Sequence, residues 1–519
     1  MKSLKYILGT FAAVAVMGFS SCTGDLDVTP IDPNMNTSDK ALTSASDYLS
    51  FLAQLYTGFA TSGSYGPDGD CNISGIDGGM SQYMRGLYHL NELTTDESIC
   101  GWNDQTLADL HNLCWTTEDV FIEAMYARIF YQISMCNEFL RQANSTSVEV
   151  PDMEEYKAEA RALRLYCWLH AIDMFGNVPF ADETSTVGAD LADQVSRSEL
   201  FSYIEEEAED LLSSESALAE PMQNEYGRCD KGFVKMILAK LYLNAEVYIG
   251  VDHYDDCAEV LLDLTTDGYS LHDSYQELFL ADNNNCTDEI IFAIEQDGIY
   301  IQSYGVTNYI IFASTGGEMD PSAVGISSGW GGLRMCPEFY DLFDTSDDRY
   351  LFYTETQQRD IDDITDFTNG YAFMKYKNIN SDGSAGQALG FVDTDWPVYR
   401  YADALLMLAE CAYRGASNIS TDTGRAYLNQ VRARAGLSAL SSSEFTADNI
   451  LNERARELYQ ECFRRQDLIR FDKFTTSDYI WQWKGGVRDG TSVDSKYNLF
   501  PIPNSELMSN SKLTQNSGY

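Results

Sequence analysis

Apolar residues recur along this chain at helical rather than strand spacing. Leu49, Leu52, Leu55, Tyr56 and Phe59 predict a helix over 45–60. Val120, Ile122, Ile129, Phe130, Ile133, Phe139 and Leu140 predict a longer one over 117–142. Residues 152–175 read as the next: Pro151 stands just before them, Glu154 and Glu155 lie in the first turn, and Gly176 followed by Pro179 closes the run. Further helices are predicted over 197–213, acidic on one face, and over 230–249, with Phe233, Met236, Ile237, Ala239, Lys240 and Tyr242. A short partner follows over 253–264, stopped by Asp267-Gly268, and three more come near the C-terminus over 399–414, 421–435 and 446–462.

The recurring unit is a pair of antiparallel helices with Ala, Leu and Tyr at the packing positions. LAKLYLNAEVY and LLMLAECAYRG resemble each other and the first helix of tetratricopeptide repeats. Such pairs stack into a right-handed superhelix, because no pair buries its apolar face alone. The fold class is therefore mainly α. Between the pairs, residues 61–116 and 268–398 are rich in Gly, Asn, Asp and aromatics, with few helical periods. Residues 61–80 read as a loop and 81–115 show weak periodicity. Long irregular insertions on a regular scaffold usually carry function.

The N-terminus changes the picture. Lys2 and Lys5 precede an apolar stretch at 7–19 that is too short to span a bilayer, and it runs into Phe19-Ser20-Ser21-Cys22. Small residues before a Cys at the end of such a stretch read as a bacterial lipoprotein signal, with cleavage after residue 21 and acyl chains on Cys22. Residues 23–40, polar and Pro-bearing, make the rest of a lipidated tether at 22–40, and 41–519 reads as one body. No later stretch approaches 18 consecutive apolar residues. The eleven other cysteines are scattered, with no C-x-x-C pair, and several fall in helical patterns as small core residues.

The 519 residues carry 34 Lys+Arg against 80 Asp+Glu, a net charge of −46, and no basic cluster, which excludes most nucleic-acid roles. Aromatics make up 13%, with 33 Tyr and 7 Trp, more than a core needs, and flat rings on a surface hold ligands. Catalytic patterns do not emerge: His89, His111, His170, His253 and His272 show no ligand spacing, and neither a nucleophile elbow nor a phosphate-binding loop is present. The chain reads as a non-enzyme that requires no cofactor. One loop, ADNNNCTDE at 281–289, offers Asp282, Asn284 and Asp288 as oxygen ligands for Ca²⁺, although it lacks the EF-hand Gly and terminal Glu; a solvated loop is the alternative.

Five segments in order carry a family resemblance: AEARALRLYCWLHAIDMFGNVPF, RYADALLMLAECAYR, LNQVRARAGL, ERARELYQECFRRQDLIRF and the tail FPIPNSELMSNSKLTQNSGY. Behind a lipoprotein signal they resemble the SusD/RagB family of Bacteroidetes outer-membrane lipoproteins over nearly the whole mature chain. NELTTDE, GRCDKGFVKMILAKLYLNAEVYIG, ELFLADN and WQWKGGVRDGTSV are similar to the family's starch-binding founder. The resemblance implies a lipid-anchored protein on the cell exterior. It would capture an oligo- or polysaccharide, a starch-like α-glucan or another glycan, and pass it to a TonB-dependent, SusC-like transporter. A peptide-binding member, or a transporter lid without glycan affinity of its own, is the other reading of such a chain.

The resemblance also implies a site, an arc of rings with polar residues beside it. The matching positions here are Tyr304 in QSYGVTNY, Trp330 in SSGWGGLR and Arg85 in YMRGLYHLNEL. The founder's principal Trp position is Cys100 in this chain, Trp102 matches a second Trp two residues on, and the founder's Asn becomes Gln105. Gly-flanked Trp102 and Trp330 read as loop rings. Trp115, Trp168 and Trp396 lie in or beside helical or apolar stretches and read as core, and Trp481 and Trp483 as packing or partner contacts.

Overall fold

Polar side chains stand where the helices begin. Asp119 accepts from the Phe121 and Ile122 amides at 3.0 and 3.1 Å and starts the Val120–Ser145 helix, and Ser196 with Glu199 forms a reciprocal capping box on Arg197–Leu212. Asp230, Ser420 and Thr446 cap Lys231–Leu243, Thr421–Arg434 and Ala447–Leu458 in the same way. Gly250 and Gly415 end Ala245–Ile249 and Tyr401–Arg414 in the left-handed conformation, at φ 73° and 96°. In this computed structural model residues 42–69, 71–186, 188 and 191–519 are described. The signal segment, Cys22 and the tether to residue 40 lie outside the described residues.

Two units divide the chain. The described residues of the smaller are 42–48 and Ser147–Pro151; in it the Asp47 carboxylate accepts from the Thr43 and Ser44 amides at 2.9 and 2.8 Å. The larger, Leu49–Thr146 with Asp152–Tyr519, is mainly helical. Its helices pack in succession: Val120–Ser145 on Met153–Met174, then Arg197–Leu212, Lys231–Leu243, Tyr254–Leu264, Tyr401–Arg414, and finally Thr421–Arg434 and Ala447–Leu458 against Tyr401–Arg414. The stacked helix pairs expected from the sequence are present. Some predicted bounds move: residues 399–400 close the strand Trp396–Arg400 and the helix begins at Tyr401, 230–249 is two helices that meet at Asn244, and the helix predicted to 462 ends at Leu458.

The second insertion is clasped at its ends. Ile290–Ile294 pairs antiparallel with Trp396–Arg400, Ile290 opposite Arg400 and Ile294 opposite Trp396, and both strands are buried throughout. The insertions also contain helices that the periodicity did not announce, Tyr83–Asn91 and Val306–Ser314, each buried along its whole length. A two-residue ladder, Ile99–Cys100 with Leu333–Arg334, joins one insertion to the other. Among the described residues no helix is long and apolar enough to cross a membrane, and the eleven cysteines there are free thiols, mostly buried.

Behind the insertions lies a buried network of charge. Arg400 donates to Glu289 at 2.5 Å, to Glu457 at 2.9 Å and to both oxygens of Glu461 at 2.7 and 2.8 Å. Arg349 reaches Asp347, Glu453 and Glu457, Lys375 reaches Glu461 at 2.6 Å, and Arg434 reaches Glu289 and Glu457. A neighbouring set, Lys240, Asp403, Arg454, Asp467, Arg470 and Glu410, pins the C-terminal helices to Lys231–Leu243. Burial alone would raise the Glu457 carboxyl, but the guanidinium groups of Arg434, Arg400 and Arg349 outweigh it and hold it down at about 2.

Removing one member strands the others. Arg400→Met is expected to cost about 3–5 kcal/mol in urea unfolding, because three carboxylates lose their shared partner in a dry interior; a loss under about 1 kcal/mol contradicts this. The depressed Glu457 adds a pH window. Its contribution is complete above the unfolded value of about 4.3 and is lost as pH falls toward 2. The urea midpoint should therefore drop between pH 4.5 and 2, and an equal midpoint at pH 6 and pH 3 would refute the linkage.

Candidate functional site

Trp102 follows the 99–100 ladder directly. The Gly101 amide donates to the Gly332 carbonyl at 3.0 Å, which extends the pairing by one step and delivers the next side chain over the opposite loop. There the indole lies on the bare Cα of Gly332: a methyl at that position would stand 2.7 Å from the Trp102 Nε1 and Cε2 atoms.

Trp330 is held from behind by a helix end. The Val306–Ser314 helix leaves carbonyls without intrahelical donors at its C-terminus, and the 330–332 loop supplies them. The Trp330 amide donates to the Phe312 carbonyl at 2.7 Å, Gly331 to Thr315 at 2.8 Å and Gly332 to Ala313 at 2.7 Å. The loop glycines follow from this approach. A Cβ on Gly329 would meet the Thr315 carbonyl oxygen at 2.0 Å, and Gly331 has φ +60°. Arg334, fully buried, braces the same loop by donating to the carbonyls of Gly332, Ile364, Asp366 and Asn369, and burial lowers its pKa to about 10.

Tyr304 precedes that helix at its other end. Ser303 Oγ donates to the Ala60 carbonyl at 2.7 Å and accepts from the Gly305 amide, which fixes the turn. Arg85 Nη1 donates to the Tyr304 carbonyl at 2.9 Å. Val306, next in the chain but one, has φ +54°, unusual for a β-branched residue.

The three expected rings converge. Trp102 and Trp330 have centroids 6.3 Å apart at 52°, and Tyr304 meets Trp330 edge-on at 5.7 Å. All three are half-buried, neither core nor free-standing. Phe391 stacks on Tyr304 at 5.6 Å and 25°, Phe312 supports Trp330 at 5.0 Å, and Tyr309 supports Trp102 at 6.0 Å. The sequence reading missed Phe391, whose segment GFVDTDW shows no period that would mark it.

Other expected site residues fall elsewhere. Arg85 is buried: it donates to the carbonyls of Gly79 and Tyr304, and its guanidinium covers the Tyr309 ring at 4.2 Å. It is a positioning residue, not a surface ligand group. Gln105 is exposed at the start of Gln105–His111, and its Nε2 donates to Asp109 Oδ1 at 2.7 Å on its own helix. Cys100 is buried in the ladder opposite Leu333, and burial pushes its thiol up to about 11. Two of the three oxygen donors expected for Ca²⁺ have protein partners. The Asp282 carboxylate accepts from the Ser381 amide and hydroxyl at 2.9 and 2.6 Å, Asp288 pairs with His272 at 2.9 Å, and Asn284 is exposed. Among the described residues no group of three or more His, Cys, Asp or Glu could hold a metal ion. Trp115, Trp168 and Trp396 are core residues as expected, Trp481 is buried, and Trp483 donates to the Ile361 carbonyl at 2.9 Å.

Comparison with known proteins places this geometry in context. The SusD family model matches residues 349–519. Starch-binding protein SusD of Bacteroides thetaiotaomicron is 32% identical, over 99% of each chain. A SusD-like protein of Bacteroides ovatus is 23% identical over 73% of this chain and 71% of its own. Among solved structures, a SusD-like protein from Bacteroides fragilis superposes with a TM-score of 0.72 at 19% identity, covering 95% of this chain and all of that one. Surface glycan-binding protein A from Bacteroides thetaiotaomicron in complex with laminarihexaose gives 0.69 at 20% identity, covering 91% and 100%.

The contact between Gly332 and the Trp102 ring is directly testable. Gly332→Ala must tilt the indole away, at a cost of about 1–2 kcal/mol. The near-UV circular dichroism of the tryptophans is expected to change while the far-UV spectrum is retained. Gly390→Ala, with open space around its Cβ, serves as the control. A near-UV spectrum of Gly332→Ala that superimposes on the parent's removes the contact from the account.

Proposed function

The chain belongs to the SusD family, and from that premise we propose that it is a cell-surface lipoprotein that captures glycan on its ring cluster and hands it to a TonB-dependent, SusC-like transporter. The observation that carries this reading is the convergence of Trp102, Tyr304 and Trp330, from three separate loops, as half-buried rings. A pyranose presents a face of C–H groups and a rim of hydroxyls. A ring covers the first, and backbone and side-chain polar groups serve the second.

The magnitudes suit capture and release. A ring covering roughly 60 Å² of sugar contributes about 1.5 kcal/mol at about 25 cal/mol per Å². Three such rings, less the cost of ordering a flexible chain, leave an affinity near millimolar, about −4 kcal/mol. Tight binding would hinder transfer to a pore. The starch-like preference of the relative named for it extends to this chain only as a candidate, since Cys100 replaces one ring of the family's arc. The anchor belongs to the same proposal: acyl chains on Cys22 hold the protein at the outer membrane, each buried CH₂ contributing about 0.8 kcal/mol. The reading includes no catalytic step and no cofactor.

Trp330→Ala is expected to weaken polysaccharide binding by about 1–2 kcal/mol in affinity electrophoresis, with a stability cost of only about 1 kcal/mol, because the ring sits in a loop and is not part of the buried core. Tyr304→Ala should behave alike but more weakly. In fractionated cells lacking the transporter, Cys22→Ala should move from the membrane to the soluble fraction. Undiminished binding by Trp330→Ala across a polysaccharide panel would sink the site.

A further inference from the structure

One loop away from the ring cluster lies a cleft of about 470 Å³, between Gln54 and Thr57 on one side, Tyr131 and Met135 on another, and the 299–302 segment. Its lining is polar and aromatic: glutamine, asparagine, threonine, serine and tyrosine, with glycine, methionine and isoleucine. In a chain with 80 acids, no charged side chain among the described residues lines it. Two tyrosines stand at its edge almost free of protein. Tyr300 is 85% exposed, and Tyr65, between the lining residues Ser64 and Gly66, is 79% exposed. Leaving two rings in water forgoes the burial that normally places tyrosine inside.

The loops that carry these rings are fixed at their roots. Asp297 Oδ1 accepts from the Ile299 and Tyr300 amides at 2.7 and 2.8 Å, its carbonyl accepts from Ile301 at 2.9 Å, and the Gly298 amide is held by Asp393 Oδ1 at 2.8 Å. Buried Arg128 ties the Tyr65 loop down by donating to the Ser62 carbonyl at 3.0 Å and to Asn72 Oδ1 at 2.7 Å. The backbone that carries the exposed rings is therefore held in place, which lowers the ordering cost of binding. The same 297–304 loop carries Tyr300 into the cleft and Tyr304 into the ring cluster. They stand four positions apart, at most about 14 Å of chain.

We propose that this cleft is a second subsite for an uncharged glycan, occupied by the same strand that the ring cluster holds. Tyr300 and Tyr65 cover sugar faces, and the Gln54 amide serves hydroxyls. The uncharged lining selects the class, because an anionic or cationic polymer finds no counter-charge there and a neutral polyhydroxyl chain needs none. The inference rests on the reading of the ring cluster as a glycan site and extends it from a short contact to a track.

The test uses the purified protein with amylopectin and laminarin in affinity electrophoresis, and with maltotriose and laminaritriose in calorimetry. A trisaccharide is short enough to be held by the ring cluster alone. Tyr300→Ala, and Tyr300→Ala combined with Gln54→Ala, are expected to weaken binding of the polysaccharide about tenfold, the weight of one ring face. They should leave trisaccharide affinity unchanged, and Tyr300→Phe should retain parental binding. Trp330→Ala should weaken both polymer and trisaccharide. Polysaccharide binding as strong as the parent's in the double variant, or equal losses for polymer and trisaccharide, overturns the second subsite while leaving the ring cluster intact. A parent protein that binds neither polymer overturns the ring-cluster reading and this one with it.

Discussion

Arg400 has no exposed surface, and three carboxylates converge on its guanidinium from three places in the chain. Glu289 precedes one strand of the clasp, Glu457 stands at the end of a C-terminal helix, and Glu461 lies in the turn beyond it. Arg349, Asp347 and Lys375 bring the middle of the second insertion to the same cluster. A charge in a dry interior is tolerated only when its partners are all present, and an unpaired member costs about 3–5 kcal/mol. The cluster therefore adds modest net stability and strongly penalises any docking of the insertion in another register. A second clamp works alike: Arg464 holds Asp96 through two bonds of 2.8 Å, and the Gln460 amide donates to Glu97 at 2.9 Å, which fixes the segment leading into Ile99–Cys100 and Trp102.

The ring cluster inherits its geometry from these fixtures. None of its three central rings lies in a helix or a paired strand, yet each loop is tied by its backbone: to a helix end at Trp330, to a ladder at Trp102, to Arg85 and Ala60 at Tyr304. The side chains are left half-buried, each resting on a neighbouring ring. This arrangement also disposes of charge. Arg128, Arg164, Arg334, Arg349, Arg400, Arg454 and Arg465 are all fully buried, so a large part of the chain's scarce cations is spent inside. The excess of acid remains for the solvent, where it repels anionic polymers and leaves a neutral ligand unaffected.

What the sequence made legible follows from the same physics. Helices with one apolar face, such as Val120–Ser145 and Arg197–Leu212, announce themselves by period. Tyr83–Asn91 and Val306–Ser314 are buried all round, so no period separates an inner from an outer face, and their sequences look irregular. Charge hides its partners: Glu453, Arg454 and Glu457 are core residues of Ala447–Leu458, and the groups that neutralise them stand on other segments. Glycine is ambiguous. Gly329, Gly331 and Gly332 correctly marked Trp330 as a loop ring, but the reason is backbone packed against Thr315 and an indole packed on Cα, which a linear sequence does not contain. Arg85 matched the family's pattern and still proved to act from beneath the rings.

The departure at Cys100 now has a physical consequence. Its side chain is buried opposite Leu333, inside the ladder that aligns the two loops, where a large ring would have to displace packed core. The ring two residues on, at Trp102, leaves that ladder and rests on Gly332, so it approaches the cluster from the loop side. The cluster then consists of two indoles about 6 Å apart with Tyr304 and Phe391 continuing the line of rings. Affinity built on so few rings is weak for a short oligosaccharide and rises with the length of chain that can be followed. A polymer that touches several weak contacts in sequence is held by their sum and leaves through them one at a time.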